Sequence, residues 1–161
     1  MNNSFLILFV LIFSCKSIPV DKDNTSKSEI NTKIDHFEIL EPTDLKENQL
    51  KLAKEFGNRL LGMCNDFKFK KFSSSEATQK VINNIDLEKM TKTCQKIFFR
   101  NGKFIDLELL EIKKDNLNGD LGFKFNIVYE KNFFKRELRL VLNSENKLSE
   151  ISTKQISKII K

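Results

Sequence analysis

Few side chains in this chain could carry covalent or acid–base chemistry, and they lie far apart. The 161 residues include three cysteines (Cys15, Cys64 and Cys94), one histidine (His36), one tyrosine (Tyr129) and no tryptophan. A thiol can be acylated, oxidised to a disulfide or, as thiolate, bind a metal. No Cys-x-x-Cys and no histidine pair occurs, so the ligand spacing of a zinc site is missing and no metal is expected. Acid–base catalysis needs a titratable group in an apolar cavity, where burial moves its pKa toward working pH. Asp106 and Glu108 alternate with Ile105, Leu107 and Leu109 and are expected to face water. On the apolar phase of the later strands only Tyr129 and Arg136 are polar, which makes them candidate polar residues at the mouth of an apolar interior. His36 sits in a polar stretch and reads as a solvated bystander. No catalytic residue is assigned on this pattern.

Cys15 is the most informative of the three thiols. Residues 1–14 carry no charged side chain, and Phe5 to Phe13 are nine consecutive apolar residues. As a helix these would cover about 14 Å, roughly half of a hydrocarbon core of about 30 Å, too short to span it. That length fits the apolar region of a secretion signal. Leu11-Ile12-Phe13-Ser14-Cys15 resembles the lipobox of bacterial lipoproteins: a branched apolar residue three before the cysteine, then a small residue just before it. The resemblance implies cleavage before Cys15, diacylglycerol on its thiol and an acyl chain on its new amine, with palmitate-type chains holding the protein at a membrane. Anchoring of this kind is stable because more than one chain inserts. Lys16 follows the cysteine, and by analogy with diderm lipoproteins this favours the outer membrane of the cell envelope.

Residues 15–41 then read as a flexible tether, rich in Ser, Thr, Asn and charge, with Ile34–Leu40 more apolar and able to dock on a domain. Residues 16–41 hold four lysines against six acids, a charge of −2, within a chain of +6 overall, so the remainder carries +8. With 40% hydrophobic and 31% charged residues, the chain has the profile of a globular domain rather than a multi-span membrane protein.

The domain is expected over 42–161. Asp44 with Glu47 forms a capping-box pattern ahead of Leu45, Leu52, Ala53, Phe56, Leu60, Met63, Cys64 and Phe67, predicting an amphipathic helix over 44–66. Ser73-x-x-Glu76 precedes a short helix marked by Ala77, Val81, Ile82 and Ile85. Asp86 can cap a third, with Leu87, Met90, Cys94, Ile97 and Phe98 on its inner face and Gly102 as its stop. From 103 the period becomes two. A phase slip at Leu109-Leu110 suggests a bulge, Asn118-Gly119 is a tight-turn pair, and Leu121 to Tyr129 alternate cleanly. Strands through Leu138–Leu142 and near 147–153 complete three or four strands, with a short basic tail after them.

Helices first and antiparallel strands second imply an α+β fold, the sheet curving around the long helix. This order over about 44–153 resembles the cone-shaped nuclear-transport-factor-2-like (cystatin-like) superfold, in particular the small domains of unknown function in secreted bacterial proteins. The superfold hosts enzymes, binding modules and assembly domains alike.

Cys64 and Cys94 fall on the inner faces of the first and third helices. In an oxidising compartment they could pair, and otherwise they are two buried small hydrophobes; the sequence leaves both open. Phe67-Lys68-Phe69-Lys70-Lys71-Phe72 interleaves rings with cations, a pattern that serves single-stranded nucleic acid in other settings. For an exported chain it reads instead as a helix end with inward rings and wet lysines, and no nucleic-acid partner is expected. The function expected from the sequence is therefore a lipid-anchored, non-catalytic binding domain for a protein partner or a small apolar ligand. The alternative is an envelope enzyme, or enzyme-associated domain, using the cone.

Overall fold

The computed structural model of the protein describes residues 36–158 apart from Glu47 and Asn132; Cys15 and the rest of residues 1–35 lie outside them. The elements run β1 (Phe37–Leu40), a 3-10 turn (Pro42–Asp44), α1 (Gln49–Asp66), α2 (Gln79–Asn84), α3 (Leu87–Asn101), β2 (Phe104–Asp115), β3 (Leu121–Tyr129), β4 (Phe134–Leu142) and β5 (Leu148–Lys158). The class is α+β. The five strands form one antiparallel sheet in the order β1-β2-β3-β4-β5. No helix among the described residues is long and apolar enough to cross a membrane.

Five strands correct the expectation of three or four. The extra strand, β1, comes from the stretch read as tether: Leu40 pairs with Ile112 and Phe37 with Asp115. Four residues are too few for alternation to stand out, so only pairing reveals the strand. His36 belongs to this edge through its carbonyl, which accepts the Asn116 N–H at 2.9 Å. β5 likewise runs to Lys158, through much of what the sequence suggested was a basic tail.

The first helix also starts later than its capping pattern implies. Asp44 Oδ2 does accept a backbone N–H, but from Glu41 at 2.8 Å, closing the 3-10 turn behind Pro42. The helix then begins at Gln49, which ties it to the β4–β5 turn through Nε2 donating to Asn146 Oδ1 at 2.9 Å. The cap of α3 is as the sequence suggests: Asp86 accepts the N–H groups of Glu88 and Lys89. The slip in β2 falls between Leu109 and Glu111, and the extra residue Leu110 is exposed.

One face of the sheet is apolar because apolar and polar residues alternate along β3 and much of β4, and the slip in β2 returns Ile112 to the same face as Leu107. Leu107, Ile112, Phe123, Phe125, Leu138, Leu140, Leu142 and Leu148 are all 0–1% exposed and pack under Ala53, Phe56 and Leu61 of α1. Each such side chain contributes about 1.5–3 kcal/mol relative to exposure. α1 comes close to the sheet at Gly57, where an added Cβ would lie 2.5 Å from Leu107 Cδ1 and 2.6 Å from Leu138 Cδ2.

The connection 67–78 is fastened by Arg59. Its guanidinium lies 4.2 Å over the Phe72 ring and 5.5 Å from the Phe56 ring, and Nη2 donates to Glu76 Oε1 at 2.9 Å. Glu76 Oε2 accepts the Ser73 N–H at 2.8 Å, so the Ser73-x-x-Glu76 box closes a turn, while Thr78 begins α2. The hydrogen bond from Arg59, then that from the Ser73 backbone, hold the Glu76 carboxyl down to about 2 from 4.5. A depressed folded-state pKa contributes stability above the unfolded value and loses it as pH falls through the folded one. Unfolding free energy is therefore expected to drop between about pH 4.5 and pH 2 by about 1–2 kcal/mol, discounted for the carboxylate's partial exposure. Glu76→Gln should flatten that part of the pH profile; an unchanged slope in urea titrations at several pH values would refute the assignment.

Candidate functional site

An apolar recess lies between the inner faces of α1 and α3 and the outer strand β5. α1 contributes Leu60, Leu61 and Cys64, α3 contributes Met90, Cys94 and Ile97, and Ile85 with β5 residues Ile151 and Thr153 closes it; Asn84, Asp86, Lys89, Thr93 and Ser152 supply polar lining. Its volume is about 310 Å³, at the lower end for small-molecule pockets. Helical spacing of four places Met90 and Cys94 on one stripe, as it does Leu60 and Cys64. The two stripes meet at a disulfide, Cys64–Cys94, with Cα atoms 4.7 Å apart and a sequence separation of 30. Of the two readings the sequence allowed for these thiols, the structure has the bonded one. It stands in the cleft wall beside Met63 and under Met90 and Phe69.

Arg136 and Tyr129 are brought together at the polar end of this region, but they do not stand at its mouth. Arg136 Nη2 donates to the Thr153 hydroxyl at 3.1 Å, so the guanidinium sits behind a residue that lines the cleft. Tyr129 is 4% exposed, its ring edge-on to Phe104 with centroids 6.4 Å apart. Its hydroxyl is therefore enclosed rather than at a rim, because Phe104 and the end of α3 cover the site where β3 leaves the sheet. Neither Tyr129 Oη nor Arg136 Nε has a hydrogen-bond partner of good geometry among the described residues. Burial raises the Tyr129 pKa above its ordinary 10, and the neighbouring Arg136 charge offsets only part of that rise. A phenol so placed stays protonated at neutral pH and is a hydrogen-bond donor, not a base.

Thr153 and Ile151 of β5 are among the cleft residues that sequence reasoning missed. Their signal was the alternation Leu148, Ile151, Thr153, broken by Ser149 and Glu150 and too weak to read inward from outward. Asp106 and Glu108 do face out, Glu108 Oε2 accepting Asn126 Nδ2 at 2.8 Å. In the 67–72 segment Phe72 is buried and Phe67 exposed, with Lys68, Lys70 and Lys71 in water.

A larger depression, about 750 Å³, lies on the outer face of the sheet beside the start of α2, lined among others by Phe37, Lys80, Lys113, Asp115, Asp120 and Glu150. Burial, then the charges of Asp115 and Glu150, raise the Asp120 pKa. Glu150 is paired with Lys80 at 3.1 Å, and no group of His, Cys, Asp and Glu among the described residues could hold a metal ion. Lysine and carboxylate side chains ring it, whereas the α1–α3–β5 cleft is walled by three packed elements, two of them joined by the disulfide, and this makes the cleft the better candidate. In comparisons with known proteins no family model matches the chain, and neither a curated protein nor a solved structure resembles it beyond chance.

Proposed function

We propose that the protein is a lipoprotein of the cell envelope, held at the outer membrane through acylated Cys15, whose domain binds a small apolar ligand between α1, α3 and β5. The observation that carries the ligand reading is the cleft: apolar side chains from α1, α3 and β5 form its floor and walls, Asn84, Asp86, Lys89, Thr93 and Ser152 add polar groups to its lining, and Arg136 backs Thr153 through a hydrogen bond. A long helix lying across a meander of five antiparallel strands supports the cone-shaped, cystatin-like arrangement. The Cys64–Cys94 bond supports export, since disulfides persist in oxidising compartments. Of the two polar residues singled out for an enzymatic reading, Tyr129 and Arg136, neither lines the cleft, and the phenol is protonated and walled off.

The test has two arms. Cells fed a fatty-acid analogue should label the wild-type chain and leave Cys15→Ala unlabelled and released from membranes; a labelled, membrane-bound variant would defeat the anchor. Wild-type protein purified from membranes should carry a small apolar molecule in native mass spectra. Met90→Trp, which fills the cleft, should lose it. Bare wild-type protein, or equal occupancy in both, would defeat the ligand reading without touching the anchor.

A further inference from the structure

We propose that the end of the domain formed by the α3–β2 and β3–β4 turns docks on an anionic lipid surface. Four parts of the chain converge there. Asn65, one residue from the end of α1, exchanges two hydrogen bonds of 2.9 Å with the Phe104 backbone. The Lys131 N–H donates to the Asn101 carbonyl, and the Glu130 N–H to that of Lys103. Phe134 pairs with Lys158 at the end of β5.

Large apolar side chains stand exposed around this end. Phe99 is 85% exposed, Ile105 60% and Phe133 55%, and Phe67 and Phe98 are partly exposed beside them. Nothing in the fold requires rings in water at these positions: Phe99 is on the outer side of α3, Ile105 sits at a break in the β2 register, and Phe133 is in a turn. The surrounding charge is one-sided. Lys68, Lys96, Arg100, Lys103, Lys131 and Lys135 outnumber Asp66, Asp106 and Glu130, and the Glu130 carboxylate accepts the Lys103 N–H at 2.9 Å. Aromatic rings at the tip with cations around them match the boundary of an anionic bilayer, where rings bury in the interface and lysines meet headgroups. This charge complementarity selects lipid over a second copy of the chain, whose same end would carry the same positive charge.

The contact does not depend on the Cys15 anchor, and the two are compatible. The chain enters the sheet at the other end, where His36 meets Asn116. β2 separates the ends by about 40 Å at about 3.3 Å per residue. The stretch from 16 to 36 reaches at most about 70 Å, so a domain tethered to a bilayer can turn this end onto it.

The absence of tryptophan provides the test. Full chains carrying Phe99→Trp, or Leu117→Trp at the opposite end, are reconstituted with vesicles of phosphatidylcholine alone or with phosphatidylglycerol, and with brominated lipids as quenchers. Docking predicts a blue-shifted, bromolipid-quenched signal for the position 99 reporter on anionic vesicles only, an unmoved signal for the 117 reporter, and loss of the effect in 1 M salt, where screening acts within about 3 Å. Adding Arg100→Glu, Lys103→Glu and Lys131→Glu should lower the ratio of docked to undocked protein roughly 100-fold. Equal signals at both positions, equal signals on neutral vesicles, a concentration-dependent shift without lipid (a second copy), or failure to associate with vesicles would each overturn the proposal. Sedimentation of the chain with vesicles reads anchoring separately, so loss of the anchor and loss of docking are distinguishable.

Discussion

Replacing both Cys64 and Cys94 by alanine is expected to lower the unfolding free energy by about 3–4 kcal/mol, much of the stability of an ordinary domain. The bond closes a loop across a sequence separation of 30, and on the chain-entropy estimate a closure of that length contributes about 3–4 kcal/mol by restricting the unfolded chain. A second contribution has the same sign: both sulfurs are buried, at 6% and 3% residue exposure, and alanines leave space beside Met63 and Met90. Urea unfolding followed by circular dichroism should show the loss. Reductant should reproduce most of it in the wild type and leave the double variant unmoved. A loss under 1 kcal/mol would mean that the packing of Leu61 and Ile97 holds α1 against α3 without the bond. The same variant bears on the cleft, because the bond joins two of its three walls; ligand retention should weaken with it.

The parts of this fold that could be read from the sequence are those where a repeating pattern runs long. α1, α3, β3 and β4 each carry their burial stripe over nine or more residues, and Asp86 and the Leu109–Leu110 slip do what their local chemistry implies. β1 was illegible because its evidence is non-local: four residues acquire a strand's identity only by pairing with Ile112–Asp115, some 75 positions away. Asp44 misled for the opposite reason. A capping box is a local signal that two overlapping turns can satisfy, and Pro42 favoured the earlier one. The candidate site was half legible. Inward phase identified Cys64, Cys94, Tyr129 and Arg136, but phase gives a face and not a depth. Whether Tyr129 reaches a rim depends on what covers it, and Phe104 with the end of α3 does so.

The two glycines of α1 should respond to substitution with opposite signs, and the contrast measures how closely the helix lies on the sheet. Gly62→Ala is expected to stabilise by about 0.5–1 kcal/mol: its Cβ would meet nothing within 4 Å, so only the helix-propensity gain remains. Gly57→Leu is expected to destabilise by more than about 3 kcal/mol, through overpacking beyond the usual 1–3 for a few added carbons. Its Cβ alone would sit 2.5 and 2.6 Å from the methyls of Leu107 and Leu138, against about 3.5–4.0 Å for carbon atoms in contact, and both leucines are 0% exposed with nowhere to move. The helix must therefore lift, thinning the core along Phe56 and Leu61. A compensating change separates this mechanism from a general intolerance of α1. Leu107→Ala alone should cost about 2–5 kcal/mol, but combined with Gly57→Leu it opens room for the new side chain. The double variant should then be more stable than the sum of the singles by about 0.5–3 kcal/mol. Strict additivity in urea titrations would show that the helix does not rest on Leu107, and with it the account of how α1 is seated on the sheet would fall.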